Sequence, residues 1–285
     1  MAKDTFLNRK TTLNIKGRLF DLRRPQVMAI LNITPDSFYS ASRTASIEEA
    51  LQKTGDFLNA GATMIDIGAY SSRPGAADVS TQEELDRIVP VIEAITKHYP
   101  EAVLSIDTFR AAVAEASIEA GAHIINDISG GSLDPDMFST VAKLNVPYIL
   151  MHMKGTPQTM QHEAEYDDVV LEVVAYFAKK IAELRALGVK DIILDPGFGF
   201  AKTRTHSYEL LNHLEDLKIF GLSYLVGFSR KSMITKFLQI DPADALNGTT
   251  VLNTIALQKG ASILRVHDVT PAIECIKLVE RTQRR

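Results

Sequence analysis

The chain has one cysteine and no tryptophan in 285 residues. With Cys275 alone there is no disulfide framework and no thiolate metal site, and a reducing, cytoplasmic setting is expected. Charge of one sign is also missing. Lys and Arg number 31 against 35 Asp and Glu, a net charge of −4, so no general nucleic-acid surface is expected. Local Arg and Lys remain available for small anions. No hydrophobic run approaches membrane-spanning length, and the opening MAKDTFLNRK has no apolar signal core, so no membrane role is expected. What remains is 46% apolar and 23% charged, enough for one large core and a single domain over residues 1–285.

Within that ordinary composition, six short apolar runs each stop at or beside a polar side chain. They are Met64 to Gly68, Leu104 to Thr108, Ile124 to Ile128, Ile192 to Gly197, Leu225 to Lys231 and Ile263 to Asp268. Continuous Val, Ile and Leu is the mark of a strand buried on both faces. Val27 to Asn32 and Pro147 to Met151 raise the number to eight. Helical patterns with cap signals lie between them: Ser46 with Glu49, Ser80 with Glu83, Arg110 to Ala120, Asp167 to Leu187, Thr249 to Lys259, and a last helix opened by Thr270-Pro271. Eight such units predict an α/β fold, a single (β/α)8 TIM barrel. Ahead of them, Thr11 to Ile15 and Arg18 to Leu22 around Lys16-Gly17 read as a β-hairpin, with residues 1–26 plugging the barrel's bottom.

In such barrels the ligand sits at the carboxyl ends of the strands. Asp66, Asp107, Asn126 and Asp195 end the second, third, fourth and sixth barrel strands. Carboxylates accept paired N–H donors, and an Asn presents both a donor and an acceptor, so together they suit a flat heterocycle edge. Any one Asp is as easily a helix cap, and Asp66 reads as structural. Ser229-Arg230-Lys231-Ser232 and Arg265-Val266-His267 end the last two strands, where these barrels often bind phosphate. Alternation points Arg265 and His267 the same way and Val266 the other. Long loops follow Asn32 and Ser71, and GFGF after Asp195 lacks the third glycine of a dinucleotide site.

The blocks ILNITPDSF (30–38), SSRPGA (71–76), SIDT (105–108), NDISGG (126–131), LMHMKGTP (150–157), DPGFGFAKT (195–203), GFSRKS (227–232) and RVHDV (265–269) follow one another in order. In these blocks the chain resembles the dihydropteroate synthase family over nearly its whole length. The resemblance implies a transferase of folate biosynthesis, a target of sulfonamides. It would condense (7,8-dihydropterin-6-yl)methyl diphosphate with 4-aminobenzoate. It implies that Asp107, Asn126, Asp195 and Lys231 bind the pterin with Arg265 over its face, and that Asn32 ligates Mg²⁺. Ser72, Arg265 and His267 would hold the diphosphate, and Thr34 to Phe38, Arg73, Pro74 and Ser232 would shape the aminobenzoate pocket. The catalytic set implied is Lys231, Arg265, His267 and Asp107, in a homodimer. The chain departs from the usual pattern at Tyr39 to Ser42, Tyr70, Ser72 and Ala201. Two rival readings, a methyltetrahydrofolate-type methyl transfer protein and an inactive pterin-binding paralogue, leave the paired phosphate cluster without a use.

Overall fold

The computed structural model describes residues 9–33, 43–70 and 79–283. Eight parallel strands close into a barrel in the order β10-β3-β4-β5-β6-β7-β8-β9. These are β3 (Gln26–Asn32), β4 (Met64–Gly68), β5 (Val103–Asp107), β6 (Ile124–Asp127), β7 (Tyr148–Met151), β8 (Ile192–Asp195), β9 (Ser223–Val226) and β10 (Ile263–Val266). Helices α1 (Arg43–Asn59), α2 (Thr81–His98), α3 (Ala111–Glu119), α4 (Met137–Leu144), α5 (Val169–Ala186), α6 (Arg204–Asn212), α7 (Ser232–Leu238), α8 (Leu246–Gln258) and α9 (Val269–Gln283) alternate with them. The fold is the (β/α)8 barrel expected.

Alternation along each strand divides the core in two. Residues such as Ile65, Leu104, Ile125, Leu194 and Val266 pack outward with the helices. Their neighbours Met28, Met64, Val103, Ile124, Ile149, Ile193, Leu225 and Ile263, one from each strand, form a separate inner cluster. Leu13, Ile15 and Leu22 join that cluster. Leu13 and Ile15 lie on β1 (Thr12–Ile15), which pairs antiparallel with β2 (Arg18–Asp21), and Leu22 follows β2. The turn between these strands has φ of 49° at Lys16 and 79° at Gly17, the doubly positive geometry of a tight hairpin. The hairpin therefore plugs the barrel floor. Each of its buried apolar side chains contributes roughly 1.5–3 kcal/mol.

Helix starts follow the sequence only in part. Ser80 and Glu83 form the capping box that opens α2. α1 begins three residues before Ser46, and Glu49 pairs with Lys53 at 2.6 Å. α8 begins before Thr249, whose hydroxyl donates back to the Ala245 carbonyl within the helix. α9 opens at Val269, one residue ahead of Thr270.

Candidate active site

Above the apolar floor the same inward positions turn polar. Arg265, on β10, crosses the barrel and donates from Nε to Asp66 Oδ2 at 2.6 Å and from Nη2 to Asp107 Oδ2 at 2.7 Å. Asn126 Nδ2 donates to the same Asp66 oxygen at 3.0 Å. Asp66 is fully buried, so this residue, the least suggestive of the four in the sequence, is the centre of the cluster. Burial disfavours the Arg265 charge, but Asp66 and Asp107 outweigh it and raise its pKa. Burial pushes the Asp107 carboxyl up to about 7 against the pull of Arg265. Asn126 Oδ1 and Asp66 Oδ1 are buried without a partner among the described residues.

Asp127 faces the other way from Asn126 and organises the following loop. It accepts from Ser129 N and Oγ at 2.7 Å, Gly131 N at 2.8 Å and the Tyr148 hydroxyl at 2.7 Å.

On the opposite wall, Lys231 donates to the Phe198 carbonyl at 2.7 Å. Arg230 before it has φ of +58°, a left-handed conformation that is strained for a side chain with a Cβ. That reversal sends Arg230 out to Asp268, 2.8 Å away, and Lys231 in. Burial lowers Lys231 to about 8, and Asp195 works in the opposite direction. Asp195 is itself pushed up by burial, an effect moderated by Lys231. His267 Nδ1 lies 2.9 Å from Ser229 Oγ at the end of β10. Ser232 is exposed at the first position of α7.

Asp107, Asn126, Asp195, Lys231 and Arg265 thus share one barrel mouth. Asn32 stands beside them. A Cβ placed on Gly68 would lie 3.4 Å from Asp107 Cβ and 3.7 Å from Asn32 Oδ1. Thr34, Phe38, Tyr39 to Ser42, Ser72, Arg73 and Pro74 lie outside the described residues. Two departures from the usual pattern have visible consequences. The Tyr70 hydroxyl accepts from Gln158 Nε2 at 2.8 Å, and its ring meets Phe109 edge-on at 5.1 Å. Ala201 has φ of +46°, where glycine is the unstrained choice.

The sequence reading missed Lys202 and undervalued His152. Both are buried, with Lys202 Nζ 2.9 Å from His152 Nδ1. Burial lowers Lys202 to about 7 and, with Lys202 beside it, His152 to about 2, so the imidazole is neutral and accepts. The signal was faint: a lysine closing a glycine-rich turn.

The sequence profile of the pterin binding enzymes matches residues 28–267. The dihydropteroate synthase of Escherichia coli (strain K12) is 45% identical over 269 residues, which span 94% of this chain and 95% of that one. The chain belongs to the dihydropteroate synthase family. Solved structures of that family superpose closely. The Yersinia pestis dihydropteroate synthase, in a sulfonamide drug complex, shares 46% identity at a TM-score of 0.89, over 95% of this chain and 99% of that one. The Xanthomonas albilineans dihydropteroate synthase, in complex with 7,8-dihydropteroate, shares 34% identity at a TM-score of 0.85, over 95% and 98%.

Proposed function

We propose that this chain joins (7,8-dihydropterin-6-yl)methyl diphosphate to 4-aminobenzoate, forming 7,8-dihydropteroate and diphosphate. One observation carries the reading. Two buried carboxylates (Asp66 and Asp195), a third at the rim (Asp107), an Asn with an unpartnered carbonyl, and two inward cations occupy one mouth of a barrel in this family.

Asp107 and Asp195 would accept from the aminopyrimidine edge, with Asn126 Oδ1 taking a further N–H and Lys231 donating to a ring acceptor. The carbon–oxygen bond to diphosphate breaks with its electron pair leaving on the anion. The electron-rich pterin shares the resulting positive charge, which buried carboxylates favour. Arg265, His267 and Ser72 would hold the departing diphosphate. The aniline nitrogen of 4-aminobenzoate then bonds to the methylene carbon and loses its proton to solvent. Thr34, Phe38, Arg73, Pro74 and Ser232 would shape the pocket for that second substrate. No nucleophilic side chain is required.

Among the described residues no three His, Cys, Asp or Glu side chains gather as a metal cluster. The donor set nonetheless fits Mg²⁺, which is held by one or two protein oxygens together with substrate phosphates and water. Asn32 Oδ1, beside Gly68 and the Asp107 side chain, would be such an oxygen. When bound, Mg²⁺ would neutralise charge on the diphosphate.

A homodimer accords with the outer surface of α8 and α9. Leu246, Val251 and Leu278 are exposed there, beside a groove of about 790 Å³. Cys275 is a buried free thiol, which suits a cytoplasmic setting. No helix among the described residues is long and apolar enough to cross a membrane. The function is tested by mixing the chain with both substrates and Mg²⁺ and following dihydropteroate by chromatography. Product should require all three. No product from the complete mixture would overturn the reading.

A further inference from the structure

Lys202 has no part in the roles above. It is 4% exposed, and its ammonium meets four acceptors. These are His152 Nδ1 at 2.9 Å, the Gly197 and Phe200 carbonyls at 3.1 Å each, and the His152 carbonyl at 3.3 Å. Three N–H donors shared among four acceptors leave no alternative direction for the group. Burying an ammonium carries a heavy desolvation penalty. In this protein the buried charge shapes a loop.

The loop from Asp195 to Lys202 curls around the charge, with φ of +68° at Gly197, +80° at Gly199 and +46° at Ala201. The curl is tight: a Cβ on Gly197 would stand 2.2 Å from the His152 carbonyl oxygen. The same loop carries two groups that face the reaction. The Asp195 carboxylate accepts from Gly197 N at 2.8 Å, and the Phe198 carbonyl accepts from Lys231 Nζ. Lys202 therefore holds the carbonyls that bracket Phe198 and ties them to the end of β7. The Tyr166 hydroxyl, donating to the Ala201 carbonyl at 2.8 Å, secures the last residue of the curl.

We propose that Lys202 is a positioning residue for the pterin half of the reaction: by drawing the Gly197 and Phe200 carbonyls onto His152, it fixes Asp195 and, through the Phe198 carbonyl, Lys231. This deepens the synthase reading and rests on it. A merely structural lysine would lower the amount of folded protein and move both substrates alike. A positioning lysine moves one.

The test compares wild type with Lys202→Met, which keeps the stem and removes the donors. Folding is followed by thermal melting, and binding by calorimetric titration with 6-hydroxymethylpterin, which needs no turnover. In the folded variant we expect the pterin Kd and the KM for the pterin diphosphate to rise about tenfold, while the KM for 4-aminobenzoate stays within about twofold, as loss of one or two well-made hydrogen bonds to a single subsite implies. Unchanged pterin affinity, or equal shifts for both substrates, would overturn the proposal. Should Lys202→Met fail to fold, Lys202→Gln is judged by the same split. If neither variant folds, Lys202 serves the fold alone and the proposal falls. Wild-type protein that binds the pterin but makes no product would count against the synthase reading, leaving the Kd comparison to decide the role of Lys202.

Discussion

Replacing Asp66 by Asn isolates the charge that holds Arg265. The carboxylate uses Oδ2 for both its bonds, to Arg265 Nε and Asn126 Nδ2. A carboxamide can set its oxygen there and keep both contacts, so shape is preserved and charge is removed. Removing one partner of a buried ion pair costs about 3–5 kcal/mol. Arg265 keeps Asp107, whose carboxyl is no longer pushed up by Asp66 and so ionises more readily. The expected loss is thus at or just below that range, about 2–3 kcal/mol. Unfolding entropy of ~2.1 cal/mol/K per residue gives about 0.6 kcal/mol/K for this chain, so the melting temperature should drop about 3–5 °C. Calorimetry at pH 7 reads this directly. The cycle with Arg265→Met is sharper, because once Arg265 is gone the Asp66 charge has lost its partner. The two losses should then fail to add, with a coupling of at least about 1 kcal/mol. A melting temperature within about 1 °C of wild type, or strictly additive losses, would refute the argument that Asp66 anchors Arg265.

Lys231→Ala should keep the melting temperature close to wild type and lower turnover by at least about a hundredfold, in the range for loss of one electrostatic contact to reacting charge. Near wild-type activity would remove Lys231 from the site. His123 accepts from Leu104 N at 3.1 Å, and burial, aided by Lys16, lowers it to about 4. Between about pH 6.5 and about pH 4 the unfolded chain therefore binds a proton that the folded chain refuses, and stability falls as pH falls. Melting curves of His123→Gln should be flatter than wild type across that window, and identical slopes would exclude His123 as a cause. Leu278→Glu should convert the proposed homodimer to monomer in sedimentation equilibrium while leaving the melting transition cooperative. A variant of unchanged mass would move the interface away from α9.

The barrel was legible because buried parallel strands must be apolar throughout, so Met64 to Gly68 reads as a strand without its neighbours. Alternation also gave direction. Val266 packs outward with the helices, and Arg265 turns inward to Asp66. Depth was not legible. Asp66 and Asp107 both read as strand ends in the sequence, yet Asp66 is the middle residue of β4 and fully buried, while Asp107 ends β5 and lies nearer the rim. Strand pairing decides this, and no local pattern encodes it. Lys202 was missed for a related reason. Its inward course depends on three alternate positive-φ residues in the loop, Gly197, Gly199 and Ala201, of which Ala201 gives no compositional hint. Thr249 and Thr270 misled because a threonine at a helix start and a threonine already inside it look alike until the backbone is known.

The hairpin that seals the floor has a consequence for how the molecule is made. Residues 9–14 bond to Asp191, Gly221, Ser223 and Gly260, all in the second half of the chain. This segment is made before the residues that seat it, and the seat is complete only when β10 meets β3. Leu13, Ile15 and Leu22 have no complete seat until all eight strands are in place, so the hairpin can dock only late in folding.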